Sequence, residues 1–196
     1  EVLHNLDALV KSGKIRQVGI SNEKAWGTMR YLEESKTNNL PRMITIQNPY
    51  SLLDRLFEVG MAEISMRENI GLLAYSPLGF GVLSGKYLGN RLPEGSRIAL
   101  FPNYKRYSSE TAVKATQKYY ELAQAHNISL AQMALAYVNS RPFLTSNIIG
   151  ATSMKQLKEN IASIDITLTS EIMEGIEKIH EEHPNPAPWW WIYWFF

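Results

Sequence analysis

No cysteine occurs among the 196 residues. Disulfides, thiolate zinc sites and cysteine nucleophiles are therefore excluded, and the composition fits a cytoplasmic setting. An excess of one charge is lacking too. Twenty basic side chains against 19 acidic ones leave +1. Lys and Arg are scattered, so there is no electrostatic footprint for nucleic acid or an anionic membrane. Long hydrophobic runs are missing: no stretch reaches the roughly 18–20 apolar residues of a membrane span, and no signal peptide is visible. Histidine is scarce. His4, His126, His180 and His183 fall on or beside predicted helices, away from strand ends. His180 and His183 stand at i, i+3 but among glutamates, which reads as a solvated face rather than a metal site. Acidic pairs such as Glu33-Glu34 are adjacent, not on one helical face. No metal set, Ser-His-Asp arrangement or acid–base group can be argued from the residues.

What is present is an alternating pattern. Apolar residues make up 45%, enough for one sizeable core. Helical periodicity covers 1–12, 24–36, 57–68, 109–125, 130–140, 154–163 and 170–182. Between these lie apolar strand segments: "IRQVGISN" (15–22), "RMITIQN" (42–48), "IGLLAYS" (70–76) and "NIIGA" (147–151). Alternating strands and helices indicate a parallel sheet, and continuous apolar runs suit strands buried on both faces. Four strands are too few to close an eight-stranded barrel; on pattern alone they make a small open sheet. Residues 79–108, rich in Gly, Pro and Tyr, read as a flexible loop.

Polar residues recur at the strand ends: Ser21-Asn22, Gln47-Asn48, Tyr75-Ser76. The C-terminal ends of parallel strands are where such folds place ligands, and Tyr75 offers a flat face to a flat ring. "AYSPLGFGVLSGK" (74–86) carries Gly79, Gly81 and Gly85 after a strand. A dinucleotide fingerprint needs a helix starting within the glycines; turn residues follow here, so a Rossmann site is rejected. In "IIGATSMKQLKENI" (148–161), Ser153 and Gln156 make a capping box, Gly150 permits close backbone approach, and the helix start favours a phosphate. Gln156, Glu159 and Asn160 share one flank, beside an expected buried face of Met154, Leu157, Ile161 and Ile164. On spacing alone a solvated, capped helix is the stronger reading.

Both ends are unusual. The chain opens without Met inside an amphipathic helix, with Val2, Leu3, Leu6, Leu9 and Val10 on one face and Gly13 suited to its C-terminal cap, as expected of a fragment. It closes on "WWWIYWFF" (189–196), too short to span a bilayer and expected to be a non-native or unstructured tail.

Four motifs in order, "GKIRQVGISN", "IQNPYSLLDR", "LLAYSPLGFGVLSGKY" and "IIGATSMKQLKENI", resemble the C-terminal half of an aldo-keto reductase. The resemblance runs to about Pro188 and is closest to the bacterial branch related to potassium-channel beta subunits. It implies a (β/α)8 TIM barrel of which residues 1–188 cover strands five to eight, and hydride transfer between NADPH and an aldehyde or ketone. Ser21, Asn22 and Gln47 would hold the nicotinamide carboxamide and Tyr75 would stack on its ring. Ser76, Leu78, Gly81 and Lys86 would follow the pyrophosphate. Arg97 would meet the adenosine 2′-phosphate or the adenine. Gly150 and Thr152 would bind that phosphate, with Gln156, Glu159 and Asn160 around the adenosine. The family's catalytic Asp, Tyr, Lys and His belong to the other half, so the resemblance implies an NADP(H)-binding portion that is inactive alone. A binding or regulatory module and an inactive truncated product are the alternatives, and exposed sheet edges imply possible self-association.

Overall fold

The computed structural model describes residues 1–188; the aromatic stretch 189–196 lies outside the described residues. Strands β1 (Val18–Ser21), β2 (Met43–Pro49), β3 (Gly71–Tyr75) and β4 (Leu144–Asn147) form one sheet, parallel throughout, in the order β1-β2-β3-β4. Helix α1 (Val2–Lys11) precedes β1. Helices α2 (Ala25–Thr37) and α3 (Met61–Glu68) make the first two crossovers. Between β3 and β4 lie α4 (Arg97–Leu100), α5 (Glu110–Ala125) and α6 (Leu130–Asn139); α7 (Met154–Ala162) and α8 (Ser170–Glu182) follow. Side-chain oxygens of Ser109, Ser129, Ser153 and Thr169 cap α5 to α8, each satisfying an otherwise orphaned N–H. Helix α1 stops at Gly13, whose left-handed φ of +73° lets its N–H reach the Val10 carbonyl.

The core joins one sheet face, Ile46, Leu72 and Ala74, to Tyr119, Met133 and Ile176 of the α5, α6 and α8 layer. Burial of each of Ile46, Leu72, Met133 and Ile176 stabilises the fold by roughly 1.5–3 kcal/mol. The opposite face of the sheet is not covered. Gly19 and Thr145 are exposed and Thr45, Gly71 and Leu73 are half-buried, which corrects the expectation of burial on both faces. On this open face Gly19 and Gly71 alternate with Thr45 and Thr145. A Cβ on Gly19 would stand 2.5 Å from Thr45 Oγ1, and one on Gly71 1.6 Å from Thr145 Oγ1, so glycine is what lets the threonines lie across their neighbours.

Four further expectations are corrected. The last strand is Leu144–Asn147, not 147–151. Its sequence, "LTSN", is polar because β4 is a sheet edge with little burial on either side. The apolar pair Ile148-Ile149 trails it, with Ile148 N–H still donating to the Ala74 carbonyl at 2.8 Å. The helix expected over 57–68 is broken by Gly60 at φ +85° into a 3-10 turn, Leu56–Glu58, and α3. The 79–108 segment is built rather than loose: 3-10 turns at Gly79–Ser84 and Leu88–Asn90 bury Val82, Leu83 and Leu88. Finally, Met154 and Ile161 on α7 and Ile164 in the 3-10 turn Ser163–Asp165 that follows it are 66%, 56% and 68% exposed, while Asn160 is the buried residue of α7. The apolar periodicity was legible, but α7 packs beside an edge strand where nothing among the described residues covers that face. No helix of the described residues is long and apolar enough to cross a membrane.

Candidate cofactor site

Three groups of residues gather at the C-terminal ends of the strands. The first joins β1, β2 and β3. Ser21 pairs with Gln47 in the sheet register, and its hydroxyl donates to the Gln47 carbonyl at 2.9 Å. Asn22 turns left-handed at φ +57° and its N–H donates to the same carbonyl at 3.0 Å. The Tyr75 hydroxyl donates to Asn22 Oδ1 at 2.8 Å, so the ends of β1 and β3 are tied across β2. The Gln47 side-chain amide makes no hydrogen bond among the described residues, nor does Asn22 Nδ2. A Gln47 amide free to donate and accept and an Asn22 Nδ2 free to donate, beside a half-buried phenol ring, suit a flat ring bearing a carboxamide. Burial pushes the Tyr75 phenol up, opposed by the nearby Arg106 charge.

The second group follows β3. Ser76 is left-handed at φ +56°, and its carbonyl accepts from Gly79 N–H at 2.9 Å. The Leu78 carbonyl accepts from Gly81 N–H at 2.9 Å. Gly81, at φ +86°, leaves a notch in which Lys86 Nζ sits: a Cβ there would be 2.8 Å from the ammonium. Lys86 makes no ion pair among the described residues, so a cation is held over glycine backbone without a counter-charge, which fits an anion. Arg97, at the start of α4, lies over the Phe80 ring at 4.4 Å, and Phe80 stacks on Tyr104 at 4.2 Å. Arg97 is thus carried by the loop next to Gly81, not by the α7 region.

The third group is the start of α7. Ser153 Oγ accepts from Gln156 N–H at 3.3 Å, as the capping box requires. The return contact is shifted by one residue: Gln156 Oε1 accepts from the N–H of Thr152 at 2.9 Å and from its hydroxyl at 3.0 Å. Asn160 Nδ2 donates to the Gly150 carbonyl at 3.3 Å. A Cβ at Gly150 would meet nothing within 4 Å, so the space before the helix is open. Glu159 stands apart, exposed and 3.9 Å from Lys155. No hydrogen bond among the described residues links this group to the other two.

Sequence reasoning missed a buried polar layer beneath the first group. Asp54 and Arg106 form an ion pair at 2.5 Å. Tyr107 is buried under Gly79, its phenol pushed up to about 12 by burial against the pull of the nearby Arg106 charge. Nearby, Glu58 accepts from Tyr50 at 2.5 Å and from Arg55 at 2.8 and 2.7 Å. The only signal for these residues was charge set among apolar and aromatic neighbours in "SLLDR" and "KRYSS", and nothing in the chain pairs two sites so far apart.

A parallel α/β sheet with polar strand ends, a glycine-held lysine and an open helix start is matched by one family model. The Aldo/keto reductase family model covers residues 1–181, and the chain belongs to that family. The protein Tas of Escherichia coli is 50% identical over 190 residues, covering 95% of this chain and 55% of that relative. A probable voltage-gated potassium channel subunit beta of rice, Oryza sativa, is 32% identical over 175 residues, covering 82% and 53%. L-glyceraldehyde 3-phosphate reductase of Escherichia coli is 31% identical over 176 residues, covering 86% and 50%. The chain therefore spans about half the length of the curated relatives it matches, within the branch that the sequence motifs resemble.

Proposed function

We propose that this chain holds NADP(H) along the C-terminal ends of its strands, as the cofactor-binding portion of an oxidoreductase acting on an aldehyde or ketone. The observation that carries this is the hydrogen-bonded cluster of Ser21, Asn22, Gln47 and Tyr75, continuous through Ser76 and Leu78 with the Lys86–Gly81 notch. When bound, the nicotinamide cofactor supplies the hydride. The chain's residues bind and orient. Asn22 and Gln47 offer their amides to a carboxamide. Tyr75 presents its ring face as a shelf. Lys86, held over Gly81, neutralises a pyrophosphate. Arg97 and Thr152 favour a 2′-phosphate and hence NADP(H), with Gly150, Gln156, Glu159 and Asn160 near the adenosine.

The sheet fits strands five to eight of a (β/α)8 barrel. Its open face carries alternating Gly and Thr across all four strands, the small and large alternation of a barrel interior. Among the described residues β1 and β4 are both free edges and nothing covers the apolar face of α7. The remaining strands would cover these and bring the proton donor that none of the residues assigned above supplies. The name of one relative, a reductase of a phosphorylated aldehyde, supports the carbonyl substrate class. The names of the channel beta-subunit relatives favour a second reading, a module that senses NADP(H) without turnover. Titration of the purified chain with NADPH, followed by cofactor fluorescence, tests the binding reading: saturation is expected, and a linear response up to millimolar cofactor would defeat it. The same chain is expected not to reduce a simple aldehyde by itself.

A further inference from the structure

Beyond α8 the chain runs back across the turn that follows β2, and residues 185–187 form a strap fixed from two sides. On one side Asn185, left-handed at φ +45°, accepts from Arg55 N–H at 2.6 Å through Oδ1. Ala187 N–H donates to the Leu53 carbonyl at 3.1 Å. On the other side the Ala187 carbonyl accepts from Arg106 Nε at 3.2 Å, and the Pro186 carbonyl accepts from the Ser109 hydroxyl at 3.2 Å. Ala187 is fully buried between these partners.

Arg106 is where the strap meets the segment that follows β3. Its Nη2 pairs with Asp54 at 2.5 Å, both side chains buried. From residue 91 to 105 that segment is largely exposed, Ser96 apart, and Leu92, Leu100 and Phe101 stand in solvent. Ahead of this stretch Val82, Leu83 and Leu88 root it in the core. Behind it Arg106 and Tyr107 are buried. The stretch 91–105 is thus a flap with a root at each end, and Arg97 rides on it. Rings connect the second root to Arg97. Arg106 lies 4.9 Å over Tyr107, and Tyr107 is 5.5 Å from Phe80. Phe80 stacks on Tyr104 at 4.2 Å and carries Arg97 at 4.4 Å. The first root is apolar packing; the second hangs on the polar contacts of one guanidinium.

We propose that residues 185–187 are a latch on this flap: acting through Arg106, the strap keeps Arg97 over Phe80, and cofactor exchanges when the latch gives. This rests on the cofactor reading above and adds to it a segment far along the chain from the glycine turns. A latch alters how often the flap opens, not what Arg97 touches once it has closed. While the closed form dominates, loosening the latch raises the association and dissociation rate constants of NADPH together and leaves affinity nearly unchanged.

The test uses the full chain with single substitutions. Asn185→Gly suits the left-handed backbone and removes the acceptor for Arg55 N–H. Asn185→Asp keeps that acceptor. Arg106→Lys keeps a cation beside Asp54 but gives up the second contact, to Ala187. Opening is read first without cofactor, as trypsin cleavage after Arg97 and Lys105. Arg30, within α2, is the control site, cut only when the chain unfolds. Asn185→Gly and Arg106→Lys should quicken cleavage in the flap about fivefold, the scale of one hydrogen bond, with cleavage at Arg30 unchanged. Asn185→Asp should match the parent. Stopped-flow mixing with NADPH should then show both rate constants raised to a similar extent, with affinity within about twofold. Flap cleavage that stays at the parent rate in Asn185→Gly, or rises only together with cleavage at Arg30, would overturn the latch. Faster flap cleavage with unchanged NADPH rate constants would remove its part in cofactor exchange. A parent chain that binds no NADPH would overturn the cofactor reading, and the cleavage pattern would still decide whether the strap holds the flap.

Discussion

Tyr75 and Asn22 close the C-terminal end of the sheet over β2, joined by a hydrogen bond of 2.8 Å from phenol to side-chain amide. Both strand ends leave the sheet through left-handed residues, Asn22 at φ +57° and Ser76 at φ +56°. Asparagine tolerates that region better than most residues. The position therefore serves backbone and ligand at once, and the two uses can be separated.

Asn22→Gly removes the amide but suits the left-handed backbone, whereas Asn22→Ala removes the amide and strains it. Glycine should keep the melting temperature close to that of the parent and still weaken NADPH binding. Alanine should weaken binding by the same factor and also lower stability by about 1–2 kcal/mol, the cost of a non-glycine residue in that region. Paired thermal melts and cofactor titrations separate the two effects. Equal stability for both variants would mean that the left-handed turn relaxes in solution.

Arg97 is held over Phe80 and makes no ion pair among the described residues. If its partner is the 2′-phosphate, Arg97→Met should keep the stacking and lose the charge. NADPH affinity should fall about tenfold, the worth of one charge-assisted hydrogen bond, while NADH affinity stays within about twofold. Titrating both cofactors against both proteins reads this directly. A parallel loss for NADH would place Arg97 on the adenine instead.

Much of this architecture was legible in the chain. The first three strands and most helices carry their own signals, because each buries an apolar face or is capped by Ser or Thr. β4 was misplaced because an edge strand obeys no burial pattern: "LTSN" is polar while the following "II" is apolar. The α7 face was read as buried because periodicity reports amphipathicity, not what covers it. Within the site, Ser21, Asn22, Gln47 and Tyr75 come together as the strand-end pattern implied, since register in a parallel sheet aligns successive C-terminal ends. Asp54 and Arg106 were missed because their pairing is set by how the 79–108 segment folds back. That segment's Gly and Pro content signals turns but not where they lead.

Glu58 should govern part of the acid stability. Burial alone would raise its pKa, but hydrogen bonds from Arg55 and Tyr50 and the Arg55 charge hold the carboxyl below its ordinary 4.5. For a carboxylate with a depressed folded-state value, the contribution is fully present above 4.5 and is lost as pH falls through the lower folded value. Denaturant unfolding followed from neutral pH downward should show stability declining below 4.5. Glu58→Gln should lower stability at neutral pH by about 2–3 kcal/mol, since Arg55 loses a largely buried partner, and should flatten the acid decline. An unchanged acid slope in the variant would assign that decline to other carboxylates.

The uncovered faces make a last prediction. Met154 and Ile161 on α7 and Ile164 in the turn that follows it are exposed beside the edge strand β4, and Trp26 and Val2 are exposed on the β1 side. An edge strand next to an apolar helix face invites pairing with another chain. Joined β4 to β1 at both seams about one two-fold axis, two copies would close the parallel sheet into a ring of eight strands. The isolated chain should therefore show a concentration-dependent mass above 22.3 kDa by light scattering after size exclusion. Ile161→Asp/Ile164→Asp places two charges on that exposed face without touching the core, and should return the chain to the monomer mass with little change in unfolding free energy. A parent that is monomeric at tens of micromolar, above the dissociation constants typical of specific association, would mean that these edges are held apart by their own polar residues, Thr145 and Ser146 among them.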